Sequence, residues 1–377
     1  PKHYLPVSLK GVNDGDYAMI YGYPGSTNRY ETSAGIRLKV DIDNPSLVKL
    51  RDERLKLMHA EMVKDPKVKL QLANSYAGIA NYWKFFDGES KQLIKYNVIG
   101  QKEKEEAAFE AWAKGKPEYD NLFNNIRAAH DAWRPYAKGR VYLIEGIMGS
   151  PLMAFAANLK TLETALSANP AKPEELDKAL SAAKAAHKKF IEDENVASDR
   201  RILSVVLQMY HNDIASDQQP SAFFAGVGGD LSKEDTYKRY AESVFAGTML
   251  LDSVKWNAFV AKPDAAQLQS DPAYKTARAF VDNYNDRFNK YYTEFISTNY
   301  VLNNKYLKGV LEMKKGTAFY PDANFSMRVS YGNVKSYSPR DAVKYSEICT
   351  LKGVMEKYQP GDYEFDLPAK LVELIKN

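Results

Sequence analysis

From Asn44 to about Lys315 apolar side chains return at every third and fourth position, a period near 3.6 that only helices packed on helices can bury. The clearest run starts at Tyr274, where Ala277, Val281, Tyr284, Phe288, Tyr291 and Phe295 alternate spacings of four and three and form the seam of one helix lying along another. An antiparallel bundle is expected. Asn44-Pro45 supplies a good N-cap with proline at the first helical position, and Leu47, Leu50, Arg54, Met58 and Met62 continue as one stripe until Asp65-Pro66 stops it. Pro173-Glu174-Glu175 places two carboxylates where a helix dipole favours negative charge, with Leu176, Leu180, Ala183 and Phe190 facing inward. Ser232 with Asp235 reads as a capping box, and the run KEKEE, Lys102 to Glu106, as a solvated helix face.

The two ends of the chain read differently. HYLPVSL, YAMIYGYP and RYETSAGIRLKV look like strands separated by turns, and after about Lys315 the alternation of Phe325, Met327, Val329 and Tyr331 returns to a period of two. Ser338-Pro339 with Asp341, then Thr350 to Tyr358 and Pro368 to Lys376, read as short helices. The economical division is a β segment over 1–43, a helical domain over 44–315 and a return to β with short helices over 316–377. The fold class is mainly α with β flanks. Insertions enter at loop tips and bring their flanks together, so a helical domain inserted into a β domain is expected. Strand and turn at the two ends are too little to close a barrel of ordinary size by themselves.

Electrostatics names no partner. Fifty-two Lys and Arg against 48 Asp and Glu leave a formal charge of +4, too small and too interspersed to favour nucleic acid or anionic lipid. No apolar run is long enough to enter a membrane as a helix. Cys349 is the single cysteine, which excludes an internal disulfide and a cysteine-rich metal cluster while leaving an oxidising compartment open. Pro1 is followed by the polar Lys2 and His3, without an initiator methionine or signal peptide, and the chain reads as a piece cut from something longer.

Catalytic constellations are missing. His3, His59, His130, His187 and His211 fall in no HExxH and no zinc spacing, so no metal and no cofactor is expected. His187 lies on the apolar stripe of its helix and reads as a packing residue. No GxSxG elbow is present. The stretch SDQQPSAFFAGVGGDLS, Ser216 to Ser232, carries three glycines, but no strand precedes them and no lysine-serine or lysine-threonine pair follows. It reads as a loop or helix connection rather than a phosphate cradle.

One stretch holds a candidate site. LANSYAGIANYWKFF, Leu72 to Phe86, sets Asn74 and Asn81 seven residues apart, nearly two helical turns, so that both amides share a face with Tyr82, Trp83, Phe85 and Phe86 around the second. An amide oxygen is a neutral acceptor that can take a hydrogen bond from an ammonium group without the cost of burying a carboxylate. Either the amides serve a substrate amine, or they cap or bridge neighbouring helices around an aromatic core.

The blocks GDYAMIYGYPGSTNRYETS, ANYWKFF, FYPDANFSMRVSYGNVKSY and TLKGVMEKY, in this order and approximate spacing, resemble the bacterial dipeptidyl-peptidase 7 and 11 family of serine exopeptidases. The resemblance covers the whole chain. It implies a chymotrypsin-like double β-barrel, present here only in part, interrupted by a helical domain that overhangs the cleft. It also implies a homodimer in the periplasm or at the cell surface of a Gram-negative bacterium, releasing dipeptides from peptides with free N-termini. The triad histidine and aspartate belong upstream of Pro1 and the triad serine downstream of Asn377, so no catalytic residue is expected in the chain and the chain alone is expected to be inactive. The asparagine of the ANYWK block, Asn81, matches the family residue that holds the substrate ammonium. Acidic preference at the penultimate residue is favoured slightly over hydrophobic. The alternative is a free-standing helical module that binds peptide or glycan.

Overall fold

The computed structural model describes residues 3–170, 172–362 and 364–377 and divides into two compact units, Tyr30–Thr317 and a second made from the two ends of the chain, up to Arg29 and from Ala318.

In the end unit, strand β1 (Tyr17–Gly22) pairs antiparallel with a strand from the far end of the chain, β2 (Arg328–Asn333), in the register Tyr17↔Asn333 to Gly22↔Arg328. The turn beside them is tied by Asp322, which accepts from Thr27 Oγ1 at 2.7 Å and from the Arg29 amide at 2.8 Å. Tyr17, Ile20, Tyr21 and Tyr331 remain exposed on this ribbon. Residues 3–9, read as a strand from HYLPVSL, form none. Ser338-Pro339 does not open a helix: β3 (Tyr337–Arg340) and β4 (Val343–Tyr345) make a hairpin, turned by Ala342 at φ 57°. Proline suits an edge strand whose amide needs no partner.

The helical unit starts earlier than its sequence pattern suggests. Helix α1 (Ser33–Leu38) runs through a π-helical stretch, Lys39–Asp43, directly into α2 (Asn44–Met62). Residues 33–43 are therefore helical, not strand. Ile36, Leu38, Val40 and Ile42 alternate as in a strand, but Thr32 caps the helix by accepting from Gly35 N, and the wider π turns shift the register. Asn44 lies buried inside the continuous helix and donates to Glu89 and Ser90 instead of capping. Asp65 and Pro66 end α2 as expected and start α3 (Pro66–Lys95), with Asp65 accepting from Lys67 N.

The chain continues through α4 (Val98–Ala113), α5 (Leu122–Val141), α6 (Pro151–Asn158), α7 (Lys160–Leu166), α8 (Pro173–Asp193) and α9 (Val196–Asp213). Part of the glycine-containing connection is helical, α10 (Ser221–Val227), and Gly228 and Gly229 take positive φ before α11 (Glu234–Gly247). Ser232 does not cap α11. Its hydroxyl donates to Asp230 at 2.7 Å, and Lys233 occupies the cap position. Two short helices, α12 (Ser253–Ala261) and α13 (Ala265–Ser270), precede α14 (Pro272–Arg287) and α15 (Asn289–Met313); α16 (Leu351–Lys357) and α17 (Ala369–Lys376) belong to the end unit.

The Tyr274 seam continues across the break at Phe288. Ala277, Phe280 and Tyr284 enter a core with Tyr142, Leu203, Tyr237 and Phe259, whereas Tyr291, Tyr292 and Phe295 pack on Trp133 and Tyr136 of α5. The KEKEE run is solvated at its middle positions, but the Lys102 side chain is only 16% exposed, and Glu106 is buried and accepts from Ser33 N at 2.6 Å and Ser33 Oγ at 2.8 Å, closing the N-terminus of α1. Gly309 of α15 lies flat against Phe109 and Tyr119, where there is no room for a β-carbon.

Candidate functional site

Helix α3 carries the candidate amides on a free face. Its inner face buries Leu72 and Tyr76 and lays Ile79, Ala80 and Trp83 against the core, while Asn74 and Asn81 are exposed. Neither amide side chain has a hydrogen-bond partner among the described residues. The geometry excludes the reading in which they bridge helices. Among the aromatics that follow it, Tyr82 stacks on Phe86 at 6.0 Å and Phe85 meets Phe86 edge-on at 5.3 Å, with Tyr82 55% and Phe85 54% exposed. An exposed neutral acceptor one helical turn from the exposed ring of Phe85 suits a cationic amine, which both groups attract.

Three groups fix this helix from behind. Near its start, Gln71 Nε2 donates to the Glu194 carbonyl at 2.7 Å and Gln71 Oε1 accepts from Asn195 Nδ2 at 3.1 Å, so one amide grips the α8–α9 junction twice. Further along, Arg51 of α2 lies under Tyr82 and Phe86, its Cζ 5.6 and 5.7 Å from the ring centroids, and pairs with Glu145 at 2.6 Å. Toward the end, Glu89 and Ser90 accept from buried Asn44.

The α8–α9 junction itself contains a buried acid pair. Asp199 accepts from the Leu152 amide at 2.8 Å, and Glu194 stands against it. Neither Glu194 carboxyl oxygen nor Asp199 Oδ1 meets a protein donor, so a proton held between the two carboxyls is what satisfies both. Burial first, and the Asp199 charge second, push Glu194 up to about 9. Burial also raises Asp199, to about 6, against the pull of Ser150, Leu152 N and the Arg54 guanidinium, so at neutral pH it is Asp199 that carries the charge of the pair. Burial lowers Arg54 in turn, against the pull of Glu145. The sequence carried one signal for this cluster: an arginine, Arg54, on the apolar stripe of α2. Nothing in the spacing marked Glu194 or Asp199, which meet across a helix boundary.

Three of the histidines are held by hydrogen bonds inside the helical unit. His130 Nδ1 lies 2.9 Å from the Ile126 carbonyl and His211 Nδ1 3.0 Å from Gln219 Oε1. His187 stacks on Trp256 at 4.2 Å and donates from Nε2 to the Leu250 carbonyl, with burial lowering its pKa. It is a packing residue, as its stripe position implied. Among the described residues no cluster of His, Cys, Asp or Glu is arranged to hold a metal ion, and no helix is long and apolar enough to cross a membrane.

Similarity to known proteins agrees with the blocks read from the sequence. An Asp/Glu-specific dipeptidyl-peptidase of Flavobacterium psychrophilum is 34% identical over 389 residues, covering 100% of this chain and 52% of that protein. Dipeptidyl-peptidase 7 of Phocaeicola vulgatus is 33% identical over 377 residues, covering 99% of this chain and 52% of that protein. The crystal structure of Porphyromonas endodontalis DPP11 in complex with the dipeptide Arg-Glu superposes with a TM-score of 0.82 at 26% identity, over 100% of this chain and 53% of that one. The chain thus spans about half the length of the curated relatives it matches. The family model for peptidase S46 matches residues 1–377, and the chain belongs to the peptidase S46 family.

Proposed function

We propose that this chain is the substrate-gripping part of a serine dipeptidyl-peptidase that releases dipeptides from the free N-termini of peptides, with Asn81 accepting a hydrogen bond from the substrate ammonium. The exposed, unpartnered amide of Asn81 on a helix fixed from behind carries this reading. In it, the helical unit is inserted into a double β-barrel whose remaining strands, with the serine, histidine and aspartate of the triad, come from segments outside these 377 residues. The serine, activated by histidine, attacks the second peptide bond while an oxyanion hole stabilises the tetrahedral intermediate. Asn81 then works as a ruler: a peptide shifted by one residue leaves its ammonium unpaired, so cleavage stops at dipeptides.

Acidic preference at the penultimate residue is the favoured specificity, supported by the Asp/Glu-specific relative and by the DPP11 structure with Arg-Glu. The dipeptidyl-peptidase 7 relative at 33% identity supports the hydrophobic alternative. Hydrolysis of dipeptidyl amides ending in Asp or in Leu separates the two. A homodimer in the periplasm or at the cell surface completes the proposal, and sedimentation of the full-length protein with fractionation of the cells tests both.

The deciding experiment assays these 377 residues beside the full-length protein, and Asn81→Ala within the latter. The short chain is expected to be inert. Asn81→Ala is expected to cost about 1–3 kcal/mol of substrate binding, roughly ten- to a hundredfold in kcat/KM, with the fold intact. Unchanged dipeptide release by that variant removes Asn81 from the mechanism.

A further inference from the structure

Arg51 is an expensive residue for the place it occupies. Its side chain is only 12% exposed, its Nε meets no acceptor, and a methionine or leucine would fill the slot between α2 and α3 without the desolvation cost of a guanidinium. A guanidinium does what those cannot, which is to fix α3 in rotation and along its axis. The Nη2 end is held by Glu145 at 2.6 Å, and Glu145 is braced by Arg54 at 3.5 Å. From that fixed end, Nη1 donates to the Ile79 carbonyl at 3.5 Å, and the planar group lies against the rings of Tyr82 and Phe86. Residues 79, 82 and 86 lie along one side of two consecutive helical turns, and residue 81, about 200° on from 79, lies on the far side. The turn that Arg51 grips is thus the turn that presents the Asn81 amide.

We propose that Arg51 is a positioning residue: it fixes the Ile79–Phe86 segment of α3 and, through it, the direction in which Asn81 offers its amide oxygen. The inference rests on the ammonium-binding reading of Asn81 for its functional consequence, and on the contacts above for its structural one. Lysine can replace the charge opposite Glu145 but not the planar, several-donor grip, so Arg51→Lys keeps the buried ion pair while releasing α3. Arg51→Met removes both.

The test uses the full-length protein with Arg51→Lys, Arg51→Met, Asn81→Ala and the double variant Arg51→Met/Asn81→Ala. Hydrogen exchange of the Ile79–Phe86 amides reads the grip, and hydrolysis of dipeptidyl amides with a free amine reads its consequence. Both arginine variants are expected to speed exchange in that segment and to raise KM about tenfold while kcat stays within about twofold. The double variant is expected to be no worse than Asn81→Ala, because Arg51 acts through Asn81. Unchanged exchange in the segment overturns the proposal, as does a KM that Asn81→Ala raises and the arginine variants leave alone, or losses that add in the double variant. If exchange quickens but Asn81→Ala itself leaves KM unchanged, the grip of Arg51 stands and the ammonium reading fails.

Discussion

Glu194→Gln offers the sharpest test of the buried acid pair, because it predicts a gain in stability whose size depends on pH. Glu194 carries its proton in the folded protein up to about pH 9, against an ordinary glutamate value of 4.5. Between those values the folded chain holds a proton that the unfolded chain has released, so stability falls as pH rises through the window, by up to about 1.4 kcal/mol per unit. At pH 7, about 2.5 units into the window, the accumulated cost is roughly 3 kcal/mol. Glutamine can donate an amide N–H to the Asp199 carboxylate where the shared proton lay, and it cannot ionise. The variant is therefore expected to match the parent near pH 5 and to exceed it by roughly 3 kcal/mol at pH 7, several degrees in Tm for a unit of this size. Urea unfolding of parent and variant at pH 5, 7 and 8 measures the difference directly, since every other titrating group is common to both. Curves that stay parallel across that range would refute a proton shared between Glu194 and Asp199.

Two further substitutions test the packing that supports the candidate site. Gly309→Ala is expected to cost about 1–3 kcal/mol, because the new methyl overlaps Phe109 Cζ and comes within 2.9 Å of Tyr119 Cε1. Phe109 is itself hemmed in by Phe123 and Tyr306 and cannot turn aside; a Tm equal to the parent's would show that the cluster is looser than described. Glu106→Ala is expected to lower stability by about 1–3 kcal/mol, since it leaves the buried Ser33 amide and hydroxyl without their acceptor. Unchanged urea unfolding would mean that another group closes the start of α1.

Where one face of an element decides its structure, the sequence was legible. The stripe of α2, the Asp65-Pro66 boundary, the Tyr274 seam and the strand character of β1 and β2 all follow from patterns local to their segments. Legibility failed where a distant partner settled a local choice. Ile36 to Ile42 alternates as a strand does, and what keeps its start helical is a carboxylate 73 positions away, Glu106 on Ser33. Asn44-Pro45 has the chemistry of a helix start and lies in the interior of a helix because Glu89 and Ser90 give its amide a buried partner. At the site, the spacing of Asn74 and Asn81 placed both on one face, and it left open whether that face was covered. Arg51, Glu145, Glu194 and Asp199 gave no local sign, since their roles exist only once α2, α3, α8 and α9 are assembled.

The π-helical stretch at Lys39–Asp43 has a consequence for what this chain can lose. Such a stretch is an α-helix with one residue too many, so a single deletion there should heal into regular helix and not break the rod. The neighbours of α1 would feel little of it. The wide turn already absorbs the extra residue and leaves the helix on either side in register, so deleting Val40 should keep Ser33 on Glu106 and Leu38 on Trp133. One residue can therefore be lost here, whereas a second deletion, with no wide turn left to absorb it, turns everything before it by about 100° around the rod axis and draws it in by about 1.5 Å.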